Sequence, residues 1–284
     1  MKRRIIGLVL AGLLLAGCGA GAKAQTRHRP ATAPARRSAS HHRRRHSSLV
    51  RNATPQRSWR PYTGPVPIVV YHELGNPPPG APFPGLYVSD SNFVAEMGWL
   101  HSNGYQAVTL DELMRAWFHG RTLPRKPIVI TFDNGYPPQV TEAPRVMSRY
   151  GWPGVLNEIT ENHLDRAEIR SVLRIGWEVD SHSLTHPDLR YLSSAELWAQ
   201  VHGSREYLRR TFHIPVDSFC YPSSKYSATV IAAVQRAGYT NAVTEGYAYA
   251  TRAEPYLLPR FEIEGGVSDL SAALLDTRPA GYPS

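Results

Sequence analysis

From Val66 onward the chain alternates apolar runs of strand length with amphipathic stretches. The runs fall at 66–71, 106–110, 128–132, 154–156, 177–179, 216–221 and 241–244. Helix-like segments lie between them, near 90–102, 111–119, 141–150, 194–210 and 227–237. Ser89 or Asp90, Thr109 or Asp111, and Ser194 are placed to start helices, and Gly104, Gly151 and Gly238 to end them. No internal repeat is present. Alternation of this kind over some 220 residues predicts an α/β domain, either a mostly parallel sheet or a (β/α) barrel. The Pro-rich stretch 75–85 reads as a long loop at a rim or lid.

The polar residues fall where such a fold builds its sites. His72-Glu73 follows the first run and Asp133-Asn134 follows the run 128–132. Asp180, His182 and His186 follow 177–179, while Tyr221-Pro222-Ser223 closes 216–221. The C-terminal ends of parallel strands open on one face, so these four clusters are expected to converge there. Carboxylates and imidazoles in that arrangement point to a metal hydrolase site. Asp180 and Glu178 are expected to support the His-bearing loop.

Charge divides the chain in two. Residues 1–62 hold 14 of the 32 Lys and Arg and no acid, which leaves 63–284 with a formal net charge of −5. A basic excess that would suggest nucleic acid therefore belongs to the tail alone. Two cysteines exclude a disulfide scaffold and a Cys-rich zinc module. Lys2, Arg3 and Arg4 precede an apolar stretch shorter than the ~20 residues of a membrane span, so residues 1–17 read as an export signal. Leu15-Ala16-Gly17-Cys18 resembles a bacterial lipobox, which implies lipidation of Cys18 and an extracytoplasmic protein anchored to the membrane. Residues 18–62, rich in Pro, Ala, Arg and His, read as a disordered linker whose basic charge suits anionic headgroups or wall polymers. Its His-rich run is read as solvated linker, and nucleic acid is not expected as a partner. Residues 63–284 form the expected catalytic domain.

Thr131-Phe132-Asp133-Asn134-Gly135 and His182-Ser183-Leu184-Thr185-His186 resemble the first two motifs of polysaccharide deacetylases, the NodB-like domain of carbohydrate esterase family four. Val69-Val70-Tyr71-His72, His186-Pro187-Asp188-Leu189 and Ala237-Gly238-Tyr239 extend the likeness over about residues 66–275. It implies a distorted (β/α) barrel and a divalent metal, usually zinc, held by His182 and His186. The family's third ligand is an Asp where this chain has Asn134, a neutral and weaker donor. Asp133 matches the base that takes a proton from metal-bound water.

The chain departs from the family twice more. The third motif, usually Arg-x-Pro-Tyr, is Cys220-Tyr221-Pro222-Ser223 here, so the Arg that orients the base is missing. Arg260, in Leu258-Pro259-Arg260-Phe261, is either its substitute from another strand end or a surface residue. A backbone N–H near Tyr221 and Ser223 would help hold the oxyanion. Cys220 reads as a buried small residue and not as a nucleophile. The late His motif is absent, since no His follows His213, and His72 becomes the candidate general acid. That placement is consistent with a branch of the family, acting on exopolysaccharide, whose late motif precedes the first. Tyr71, Tyr136 and Tyr221 either stack on sugars or pack in the core. The resemblance thus implies removal of N-acetyl groups from a cell-surface or extracellular polysaccharide of peptidoglycan or poly-N-acetylglucosamine type. An O-acetyl esterase and a non-catalytic glycan-binding lipoprotein stand as alternatives.

Overall fold

The computed structural model describes residues 56–161, 164–280 and 282–283. The expected export signal, Cys18 and the linker up to residue 55 lie outside the described residues. Eight parallel strands carry the fold: β1 (Ile68–Tyr71), β2 (Gln106–Val108), β3 (Pro127–Asn134), β4 (Val155–Glu158), β5 (Glu178–Ser181), β6 (Ser218–Cys220), β7 (Asn241–Glu245) and β8 (Leu258–Glu262). Seven of them close a ring in the order β1-β3-β4-β5-β6-β7-β8, with β8 returning to β1. β2 stands outside the ring. It pairs with β3 at 127–129, on the edge that β4 takes over at 131–134.

Closure sorts the strand residues into two faces. Val69, Tyr71, Ile130, Phe132, Leu156, Val179, Phe219 and Phe261 belong to the apolar layer under the surrounding helices. Ile68, Val129, Val155, Val243 and Leu258 pack together in a separate cluster with Trp59, Leu113 and Trp117. Two residues further along four of these strands, the same face turns polar, with Thr131, Asn157, Glu245 and Arg260, followed by Asp133. Both faces are covered over most of each strand, which is why the runs read as apolar without alternation.

The helices follow their local signals. α1 (Asp90–Ser102) is capped by Ser89, whose hydroxyl accepts from the Asn92 N–H. α2 (Leu110–His119) carries a full capping box between Thr109 and Glu112. α3 (Pro137–Met147) starts earlier than the expected 141, because Pro137 and Pro138 occupy its first turn, where a missing N–H costs nothing. α4 (Arg166–Arg174) and α8 (Val267–Asp276) were not among the expected elements, and β8 was foreseen only as the strand end that carries Arg260. α4 sets Ile169, Val172 and Leu173 at helical spacing but is only nine residues long and otherwise mostly polar, and β8 carries Pro259, Arg260 and Glu262, which break up an apolar run.

α5 (Ser194–Trp198) runs through a π turn (Ala199–Gly203) into α6 (Ser204–Phe212), filling the single long helix expected there, and α7 (Ala228–Arg236) follows. Gly104, Gly151 and Gly238 sit at positive φ after α1, α3 and α7, as their helix-ending role requires.

The folded body begins before residue 63. Arg60–Pro61 pairs antiparallel with Thr122–Leu123, and the Trp59 ring is buried, so the end of the expected linker is ordered by the apolar surface of that ring. The Pro-rich stretch is a loop whose ends meet, with Glu73–Leu74 pairing to Tyr87–Val88.

Candidate active site

Asp133 stands near the end of β3, 1% exposed, with both carboxylate oxygens engaged. Arg260 forms a fork on it, Nη1 donating to Oδ1 and Nη2 to Oδ2, each at 2.7 Å. Asn157 Nδ2 donates to Oδ1 at 2.8 Å from the neighbouring strand β4. Burial alone would raise the pKa of this carboxyl. The Arg260 guanidinium outweighs it, with smaller help from His182 and His72, and holds the group well below the usual carboxylate range.

Arg260 is itself 1% exposed and also donates to Thr131 Oγ1 at 3.0 Å and to Cys220 Sγ at 3.2 Å. The surface-residue reading of Arg260 is thereby corrected. Ring closure brings β8 across from β3, and the guanidinium reaches the carboxylate from 127 positions away.

The two motif histidines meet above this fork. His182 is 2% exposed, and its Nδ1 lies 2.9 Å from the Cys220 carbonyl oxygen, which directs Nε2 inward. Nε2 stands 4.0 Å from Asp133 Oδ2 and 4.0 Å from Cys220 Sγ. The His186 ring packs edge-on against that of His182, with centroids 4.6 Å apart. Burial is the largest influence on His182 and lowers its pKa to about 3, so the imidazole is neutral at physiological pH.

The loop between the histidines is held in a strained conformation, with Ser183 at φ 69° and His186 at φ 59°. Ser183 Oγ accepts from the His186 N–H, and Gln200 Oε1 accepts from the N–H groups of Leu184 and Thr185, each at 3.0 Å. Gln200 also donates to Thr185 Oγ1 at 2.8 Å. It lies in the π turn, and an irregular turn of that kind commonly marks a site. No sequence motif pointed to Gln200.

The remaining expected residues separate. His72 follows β1, nearly buried, with Nδ1 3.5 Å from Glu262 Oε1 at the end of β8. Burial lowers its pKa, while burial together with Glu245 and Glu264 pushes Glu262 up to about 7. Asn134 ends β3 at φ 80°, half-buried, and its Nδ2 lies 3.5 Å from Tyr136 Oη. Ser223 is exposed at φ 51° in the turn after β6.

Tyr221 turns away from the expected roles. Its ring is buried, its hydroxyl donates to the Tyr256 carbonyl, and its N–H donates to the Val243 carbonyl, so neither stacking on sugar nor holding an oxyanion fits it. Tyr71 is likewise core, with its hydroxyl on Glu96. Asp180 lies two positions before His182 and accepts from the N–H groups of Asp217 and Ser218, tying β5 to β6. Glu178 accepts from the Asp111 N–H. A cavity of about 380 Å³ lined by Asp111, Trp177, Glu178 and Asp180 contains none of Asp133, His182, His186 and Arg260.

The donor chemistry here suits a divalent metal. A neutral imidazole fixed through its other nitrogen, a second imidazole beside it, a carboxylate and a thiol are all zinc-type donors. Asp133, His182 and Cys220 place one donor atom each within 4.8 Å of the others.

The chain resembles known proteins in sequence and in fold. The sequence profile described as Polysaccharide deacetylase matches residues 120–242. YxkH of Bacillus subtilis, whose name assigns it to the polysaccharide deacetylases, is 28% identical over 211 residues, 72% of this chain and 73% of its own. The poly-beta-1,6-N-acetyl-D-glucosamine N-deacetylase of Escherichia coli is 34% identical over 70 residues, a quarter of this chain and 10% of that protein. Among solved structures, the deacetylase PplD of Streptococcus pyogenes superposes with a TM-score of 0.69 at 21% identity, over 77% of this chain and all of PplD.

Proposed function

We propose that this chain, whose residues 120–242 match the polysaccharide deacetylase profile, is a metal-dependent hydrolase that removes N-acetyl groups from a cell-surface or extracellular glycan. The observation that carries this reading is the buried Asp133–Arg260 fork beside the His182–His186 pair at the C-terminal mouth of the barrel. A deacetylase needs an oriented base next to a metal-binding pair of imidazoles, and this arrangement supplies both.

His182 and His186 would hold the metal, with Asn134 as the weaker third donor named by its position in the motif. When bound, the metal acidifies a water and polarises the acetamide carbonyl. Asp133 accepts the proton of the attacking water. A carboxylate held so far below its usual range is a weak base, so the role of Arg260 is to fix its direction and keep it ionised. His72 stands across the mouth as proton donor to the leaving amine. Its burial makes the imidazolium a stronger acid, and the Glu262 carboxyl, 3.5 Å from its Nδ1 and pushed up by burial and Glu245, stands beside it. Ser223 offers a backbone N–H at the rim for the oxyanion.

A polymeric sugar is supported by the rim. Phe83, Tyr191 and Tyr247 are 68%, 80% and 79% exposed, and each lies in a loop that leaves the C-terminal end of a strand: β1, β5 and β7. Exposed rings at the mouth suit stacking on sugar faces. The match to the Escherichia coli enzyme favours a poly-N-acetylglucosamine type of substrate. We place the protein outside the cytoplasm, on the membrane through Cys18, with the basic linker against anionic headgroups.

Acetate release from chitooligosaccharides, poly-N-acetylglucosamine and peptidoglycan tests the reading, with zinc or cobalt added and with a chelator. Metal-dependent release is expected, falling by roughly 10²-fold or more in Asp133→Ala and disappearing in His182→Ala. Release only from O-acetylated sugars would replace it with an esterase, and no release from any acetylated glycan would overturn catalysis.

A further inference from the structure

The sequence leaves the expected metal site short of one negative charge, because Asn134 stands where the family has a carboxylate. The fold puts another ionisable donor close by. Cys220 ends β6 fully buried, and its Sγ lies 4.0 Å from His182 Nε2 and 3.2 Å from Asp133 Oδ2. We propose that Cys220 is a metal ligand of this protein, a thiolate that with His182 and His186 supplies the charge Asn134 lacks. The inference rests on the metal-dependent reading of the site.

Three observations carry it. The first is distance. Zinc bonds of 2.0–2.1 Å to nitrogen and about 2.3 Å to sulfur, opened to a tetrahedral angle, set the two donors about 3.6 Å apart. The observed 4.0 Å is within a small side-chain adjustment of that. The second is orientation. His182 Nδ1 is taken by the carbonyl of Cys220 itself, so imidazole and thiol belong to one rigid unit with Nε2 turned toward Sγ.

The third is charge. Arg260 Nη2 donates to Cys220 Sγ at 3.2 Å, which offsets part of the opposition that burial and the Asp133 carboxylate, itself 3.2 Å from Sγ, raise against a thiolate; the charge of a bound metal would supply the rest. The Arg260 fork occupies both Asp133 oxygens, which makes that carboxylate the poorer candidate for the metal. On binding, the sulfur–hydrogen bond gives way to a sulfur–metal bond and the proton leaves to solvent. His186 lies beside the Asp133–His182–Cys220 cluster, its ring edge-on to His182, and would turn to join the metal; with Cys220 in place of Asn134 as third donor, two imidazoles and one thiolate would leave a fourth position for water, the pattern of a catalytic site.

The test uses the full chain carrying Cys18→Ser, so that Cys220 is its one thiol. It is loaded with zinc for X-ray absorption and with cobalt for optical spectra, after its metal content is measured. The expected result is a sulfur neighbour at about 2.3 Å and an intense near-ultraviolet thiolate-to-cobalt band. Both should vanish in Cys220→Ser, and His182→Ala should lose the metal. Circular dichroism would establish that each variant is folded. A full complement of His182-dependent metal with only nitrogen and oxygen neighbours would overturn the thiolate ligand and leave the metal-dependent deacetylase standing. A sulfur signal that persists in Cys220→Ser would overturn it as well. No metal held through His182 would overturn the underlying reading and this inference together.

Discussion

Arg260 shows how much one side chain decides. A bidentate guanidinium orients a carboxylate in a way an ammonium cannot, because two parallel donors fix both the direction and the plane of the acceptor. Arg260→Lys is therefore expected to keep the positive charge but lose the fork on Asp133. Acetate release should fall by roughly 10²-fold in kcat, with a smaller change in KM. Its pH profile carries the sign. Burial raises the Asp133 pKa and Arg260 lowers it, so weakening the pair lets the pKa rise. The acid limb of kcat/KM should then move to higher pH, and an unmoved limb in a folded variant would remove Asp133 as the titrating base. Complete truncation of Arg260 is less informative, since it strands a buried carboxylate at a cost of about 3–5 kcal/mol.

At the scale of the element, the π turn between α5 and α6 holds the site loop. The extra residue in that turn sets Gln200 against two backbone N–H groups and one hydroxyl of the segment joining His182 to His186. Ser204, at the start of α6, bonds Ser181 at the end of β5 at 2.7 Å. The strained backbone at Ser183 and His186 is thus held by the neighbouring helix and not by its own sequence. Gln200→Ala should weaken metal binding by about 10- to 100-fold, the usual effect of removing a partner behind a metal ligand, with little change in melting temperature. A competition titration against a chromophoric chelator would read it. An unchanged affinity would mean that the loop holds its shape without Gln200.

At the scale of the whole molecule, a basic N-terminal stretch precedes an acidic folded body. One lipid chain alone holds a membrane only marginally, so a second attachment by basic charge adds usefully to it. Expressed in a bacterium that processes lipoproteins, the chain is expected in the membrane fraction, and Cys18→Ser should move most of it to the soluble extracytoplasmic fraction. High salt should release part of the remainder by screening the basic stretch. A Cys18→Ser protein that stays with the membrane would overturn the lipid anchor. Among the described residues no helix is long and apolar enough to cross a membrane.

The sequence by itself determined whatever local patterns encode. Apolar runs set the strands, Ser89 and Thr109 cap the helices they precede, and Gly104, Gly151 and Gly238 end helices at positive φ. The motifs around Asp133 and between His182 and His186 were legible for the same reason, since each spans a few consecutive residues. The partner of the base was legible only as one of two readings of Arg260, because Arg260 meets Asp133 only once β8 closes the ring against β1 and stands across from β3. Cys220 and Tyr221 are neighbours that the end of β6 sends to opposite faces, one beside His182 and the other into the outer core. Alternation along a strand makes such neighbours diverge, but only the closed barrel says which face is the site. Gln200 likewise needed the packing of α5 and α6 beside the loop to acquire a function. Short-range chemistry is written in the order of residues, while pairings across the ring are decided by the geometry that closes it.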